Sequence, residues 1–140
     1  MAIKSLFPDD MMMSSAPSLS LDKIKAKLNY FELQLHELHW QTRGFAEHSA
    51  LGTLYDKVFD LKDEIVEKIM GYTGIRTKAM SIDTIKDYAP GMAEQVVREL
   101  KIFASQLEEF GEAGNMPDIE NIAQSLSGEA AQTLYRLTLS

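Results

Sequence analysis

Residues 20–41 read SLDKIKAKLNYFELQLHELHWQ, and the apolar positions in this stretch decide the fold class. Leu21, Ile24, Leu28, Phe31, Leu35 and Leu38 recur at alternating intervals of three and four. Residues so spaced share one face of a helix and form a continuous apolar stripe. Ser18 or Ser20 can cap its start, and Gly44 ends it or lies just beyond. Three further stripes follow. Leu54, Val58, Leu61, Ile65 and Ile69 mark a second helix, from a Ser49 cap to Gly71 or Gly74. Met92, Val96, Leu100, Phe103, Leu107 and Phe110 mark a third, from Gly91 to Gly111. Ile119, Ile122, Leu126, Ala130, Leu134 and Leu137 mark a fourth, with Pro117 in its first turn. No strand alternation and no internal repeat interrupts them.

The connections run short, long, short. The expected architecture is therefore all-α, a ferritin-like four-helix bundle with a long crossover over residues 75–90. A short helix at Ile82–Tyr88, stopped by Pro90, is expected within that crossover. Residues 1–19 contain Pro8, Pro17, several serines and Met11-Met12-Met13. They are expected to form a flexible N-terminal arm, free or docked on a partner, ahead of one domain over residues 20–140.

Composition removes several function classes. The chain has no cysteine, so neither a disulfide framework nor a thiolate metal site is available. Its formal net charge is −7, and Lys4 is the one base in the first 20 residues. Phosphate contacts need clustered Lys and Arg, so DNA binding through a basic tail is not expected. No apolar run is long enough to span a bilayer. Pro8, Asp9 and Asp10 break the place where the core of a signal peptide would lie. A soluble, cytoplasmic protein is the expectation.

Metal chemistry is suggested by His39, His48, Asp63 and Glu67. Two imidazoles and two carboxylates suit a borderline cation such as Fe(II) or Zn(II). Asp63 and Glu67 are four apart and so neighbours on one helix face. On a wheel of 100° per residue, Asp56, Asp60, Asp63 and Glu67 point roughly 170° away from the core stripe of their helix. An inward-facing di-iron site is therefore not written here, and no Glu-x-x-His occurs. Tyr55, Phe59, Val66 and Met70 widen the apolar arc beyond what a four-helix core needs, with Lys62 beside them. Acids bordering surplus apolar surface predict a subunit contact. Taken one at a time, His36, His39 and His48 are ordinary surface or capping residues; the combination with the acids makes them candidates.

The run from Leu35 through His36, His39-Trp40 and Arg43 to Gly44 resembles that of the Dps family of miniferritins. So does the continuation through His48 to Asp63-Glu64-Ile65-Val66-Glu67-Lys68-Ile69, which is similar to the family's Asp-x-x-x-Glu-Arg-Ile signature. The interval from His48 to Asp63 matches the family's, and Leu134-Tyr135-Arg136-Leu137 is weakly similar to its C-terminal run. The resemblance implies a dodecameric shell with iron sites at two-fold interfaces. His39 and His48 would come from one subunit, Asp63 and Glu67 from its neighbour. It also implies a ferroxidase that uses hydrogen peroxide and stores ferric mineral inside the cage, with zinc able to occupy the same site. The chain departs from the pattern in one place. Its interval from His39 to His48 is a few residues short, and a full-length interval would put His36 in the ligand position. Either His36 or His39 fits; Trp40 favours His39.

Two other readings compete with iron oxidation. One is a ferritin-like structural cage or adaptor with a weak or inactive site, for which the shortened interval argues. The other is an interface that holds zinc in tetrahedral geometry without redox chemistry.

Overall fold

The computed structural model describes residues 19–139. It consists of four helices: α1 (Leu21–Gln41), α2 (Phe45–Thr73), α3 (Met92–Ala113) and α4 (Pro117–Arg136). All four elements are helical, and they form the expected four-helix bundle. The arm expected over residues 1–19, with its methionine run, lies outside the described residues except for Leu19. Leu19 packs against the core.

Each helix begins and ends for a local reason. Ser20 is extended and its hydroxyl accepts from the Lys23 N–H at 3.2 Å, capping α1. Pro117 occupies the first turn of α4, where its missing N–H has no helical partner to lose. Gly74 closes α2 in the left-handed region, at φ 71°, with its N–H on the Met70 carbonyl. The start of α2 differs from expectation. It begins at Phe45 behind a Gly44 cap rather than at Ser49, so His48 lies inside its first turn.

The stripes meet as one core. Ile24, Leu28, Phe31, Leu35 and Leu38 of α1 are buried against Leu54, Val58, Ile65 and Ile69 of α2 and Val96, Leu100, Phe103 and Leu107 of α3. On α4 the buried face is Ile119, Ala123, Leu126, Ala130 and Thr133, rotated slightly from the expected one. Ile122, Leu134 and Leu137 are half-buried instead. Small residues win there because a closely packed helix pair buries the side chains that fit. Helix α3 comes so near α4 that a Cβ at Gly111 would lie 3.0 Å from the Glu120 nitrogen.

The crossover holds a surprise: residues 74–89 form no helix, so the short helix expected at Ile82–Tyr88 is corrected to an extended strap. Its backbone finds partners on α1 that a helical turn would have supplied internally. The Lys78 N–H donates to Asp22 at 2.7 Å, and the Lys78 carbonyl accepts from the Lys25 ammonium. Further along, Gln34 is fully buried and pairs with both backbone groups of Lys86, at 2.9 and 2.8 Å. Finally the Tyr88 N–H donates to Gln41 at 2.6 Å. The contacts climb α1 in step with the strap, so the strap runs parallel to α1. This returns the chain to the end of the bundle where α1 meets α2. That end carries the candidate site.

Candidate metal centre

A three-residue hinge, Thr42–Gly44, joins α1 to α2. Thr42 leaves the helix in an extended conformation, and its hydroxyl donates to Glu47 at 2.5 Å. Glu47 sits in the first turn of α2, where a carboxylate is favoured by the exposed N–H groups. The Tyr88 hydroxyl donates to the same Glu47 oxygen at 2.8 Å, tying the strap to the hinge. That bond, then burial and the Glu47 charge, holds the Tyr88 phenol above its ordinary range, against a smaller opposing effect of Thr42.

So short a hinge presses the last turn of α1 onto the first turns of α2, and His39 meets His48 there. The two rings stack with centres 3.8 Å apart and planes inclined by 18°. Their hydrogen bonds are reciprocal. His39 Nδ1 lies 2.7 Å from the His48 carbonyl, and His48 Nδ1 lies 2.8 Å from the His39 carbonyl. A carbonyl only accepts, so each Nδ1 bears the proton. Each Nε2 of the neutral ring then keeps its lone pair for a ligand. An imidazole whose other nitrogen donates to a backbone carbonyl is the usual form of a metal-binding histidine. The His39 carbonyl also gains a partner it would lack at a helix end.

His36 has a different role. Its ring is sandwiched between Tyr55, at 3.9 Å and 13°, and Trp40, at 3.7 Å and 33°. Its ring centre is 6.0 Å from that of His39. Among the described residues, His36 has no hydrogen bond that would orient a nitrogen toward a ligand. Of the two candidates on α1, His39 therefore has the geometry of a ligand and His36 that of a packed ring.

Asp63 and Glu67 lie further along α2, both exposed, as are Asp56 and Asp60. The outward direction expected from the helix wheel is the observed one. They are far from the histidines of their own chain. From His48, fifteen residues of helix to Asp63 rise about 22 Å, and nineteen to Glu67 about 28 Å. Among the described residues no three His, Asp or Glu side chains gather closely enough to hold a metal ion. Within one chain, then, the histidine pair and the acids stand apart.

Large apolar side chains are exposed on the same two helices. Leu33 and Trp40 of α1 are 46% and 63% exposed, and Phe59 of α2 is 56% exposed. Tyr55, Val66 and Met70 flank them, half-buried. Lys62 does not interrupt this strip with a free charge. Its ammonium folds back onto Glu32 at 2.5 Å and Asn29 at 2.9 Å, both on α1.

Sequence reasoning missed Gly52 and Gln34. A Cβ at Gly52 would lie 2.8 Å from His39 Cε1 and 3.0 Å from its Nδ1. A glycine in mid-helix is a signal of close approach, and here it marks the place where the His39 ring crosses α2.

Comparisons with known proteins place the chain in a family and give partial relatives. A family model described as "Family of unknown function (DUF5856)" matches residues 39–137. The chain is also similar to the DNA protection during starvation proteins of Listeria innocua and Listeria monocytogenes, each 33% identical over 52 residues. That alignment covers 35% of this chain and 33% of each relative, so the chain matches about a third of their length. No solved structure matches significantly. Among the described residues no helix is long and apolar enough to cross a membrane.

Proposed function

Because the chain belongs to the DUF5856 family of unknown function, which assigns it no chemistry, we propose one from the site: a Dps-like miniferritin that oxidises Fe(II) between subunits. The observation that carries this reading is the His39–His48 pair, with both Nδ1 protons spent on carbonyls and both Nε2 lone pairs left over. The partial similarity to starvation-protection proteins supports it. So does the separation of the acids from the histidines of the same chain. A second copy, packed across the strip of Leu33, Trp40 and Phe59, would bring Asp63 and Glu67 to the imidazoles. A closed two-fold contact makes two such sites at once; repeated contacts would build the cage, a dodecamer by resemblance.

The ring geometry bears on how many ions are held. Lone pairs lie in the ring planes, and planes inclined by 18° with centres 3.8 Å apart converge only about 10 Å away, whereas a bound ion sits about 2 Å from an imidazole nitrogen. The two imidazoles therefore suit two ions side by side, with a carboxylate from the neighbour bridging them. Each Fe(II) gives up one electron, hydrogen peroxide accepts the two, and its O–O bond breaks to leave two hydroxides. Paired transfer releases no hydroxyl radical. The carboxylates offset the charge gained on going to Fe(III). A single tetrahedral zinc shared by both histidines does not suit stacked rings.

Anaerobic loading with Fe(II) followed by hydrogen peroxide tests this. Fast oxidation at one or two irons per chain, read as ferric absorbance, is expected. Oxidation no faster than in buffer would rule out a ferroxidase and leave a ferritin-like structural cage.

A further inference from the structure

We infer that Gly52 is the positioning residue of the histidine pair: the bare backbone of α2 at this point is what lets His39 reach the carbonyl of His48. The consequence for metal binding rests on the iron reading above; the structural part does not.

The geometry comes from the short hinge. With three residues between the helices, α1 cannot stand off from α2, and the His39 side chain has to lie across the α2 backbone. It crosses at residue 52, one turn after His48. A Cβ there would meet three ring atoms, Cε1 at 2.8 Å, Nδ1 at 3.0 Å and Nε2 at 3.7 Å. The first is shorter than Cβ contacts in folded proteins, and the second is at the tight limit of them. The clash falls on a side chain that can swing away, so the helices need not part. The ring alone must move, and it would give up both the Nδ1 bond at 2.7 Å and the 3.8 Å stack. His48 would lose its stacking partner in the same step.

Glycine in a helix interior costs stability relative to alanine. Two other glycines on this chain show what an unneeded one looks like. Gly71, on the same helix, and Gly128, on α4, have nothing within 4 Å of where a Cβ would stand. Gly52 differs from both by the ring above it. The residue therefore stands in for the length the hinge lacks: a longer connection would let His39 approach from outside, without passing over the backbone.

The experiment compares Gly52→Ala with Gly71→Ala, which makes the same helix-favouring change where nothing is displaced. Two readouts apply, ring nitrogen signals by NMR and anaerobic binding of Co(II) alone as a spectroscopic probe. Gly71→Ala should leave both unchanged. Gly52→Ala should shift the ring nitrogens of His39 and His48, expose their Nδ1 protons to exchange, and weaken Co(II) binding by about 10–100-fold, the usual effect of disturbing the groups that orient a ligand. Ring signals in Gly52→Ala identical to those of the parent overturn the inference. A double-mutant cycle covers the case of a poorly folded variant. Gly52→Ala should lower the unfolding midpoint in the presence of His39 and raise it in a His39→Ala background; the same shift in both overturns the inference. Should the parent chain take up no Co(II), the iron reading fails by itself, and the ring signals alone decide for or against Gly52.

Discussion

If the metal centre is completed by a second chain, two inactive variants should restore each other. Consider His48→Ala, which keeps both acids, and Asp63→Ala, which keeps both histidines. Each forms only dead sites with itself. In a mixed two-fold pair, one site joins the defective histidine to the defective acid, but the other joins an intact His39–His48 pair to an intact Asp63 and Glu67. Random mixing puts half of the chains' contacts in mixed pairs, with one live site in each two, so activity should return to about a quarter of the parent level. The structure leaves no intrachain route to the same result. His48 and Asp63 lie on one uninterrupted helix, and the rise between them is about 22 Å, an order of magnitude beyond a metal–ligand bond. The assay is peroxide-driven Fe(II) oxidation after the two variants are denatured together, refolded at equal concentration and compared with each refolded alone. Recovery near a quarter is expected. Two active parents, or a mixture as dead as its components, would refute the claim that His48 and Asp63 serve one site across an interface.

Three further outcomes follow from particular contacts. Phe59→Glu puts a charge into the exposed apolar strip; losing one buried phenylalanine from each side, ~3 kcal/mol or more in total, should weaken self-association by over about a hundredfold, and an unchanged particle mass by light scattering would remove the strip from the interface. Gln34→Leu strands the Lys86 N–H and carbonyl, which water reaches only in part, so a loss of about 2 kcal/mol in chemical denaturation is expected, with faster hydrogen exchange at Lys86; unaltered exchange there would show the strap is held by something else. Tyr88 is held above its ordinary value of 10.0, chiefly by its bond to Glu47, so its contribution is complete below that value and fades as pH climbs through the raised one. Tyr88→Phe should therefore be less stable than the parent at neutral pH, by about 1 kcal/mol, with the difference shrinking in alkali; a constant difference from pH 8 to 11 would contradict the assignment.

The helices were legible because each apolar stripe has a period that only one local structure satisfies. The outward direction of Asp63 and Glu67 was legible for the same reason, since a helix wheel needs nothing but spacing. What escaped were features set by two elements at once. The strap looks helical over Ile82–Tyr88 by its spacing alone, yet Gln34 and Gln41 on α1 offer its backbone better partners, and nothing in the strap's own sequence announces them. Gln34 has no sequence signal of its own, because its burial depends on a segment 52 positions away. Gly52 carries a signal that can be read, a glycine inside a helix two turns before an exposed aromatic, Phe59. A Ser49 cap would leave His48 outside α2; the true cap, Gly44, acts through its backbone and offers no side chain to recognise.

The shortened interval between His39 and His48 is where the enzyme and the silent cage part company, and the structure changes its meaning. As a sequence feature it argued for a displaced His48 and an open, weak site. In the fold it does the opposite, because α2 begins four residues earlier than Ser49 and draws His48 into its first turn, under the ring of His39. The missing residues come out of the connection, not out of the pair. What the short hinge requires in exchange is room on α2, which Gly52 supplies, and an anchor at the hinge, which Glu47 supplies by holding Thr42 and Tyr88 together. The reciprocal bonds also serve the fold, since they give the His39 carbonyl a partner at a helix end, so a silent cage could keep the pair intact. The two readings separate on whether the partner chain brings Asp63 and Glu67 across, and that is what the mixing of variants measures.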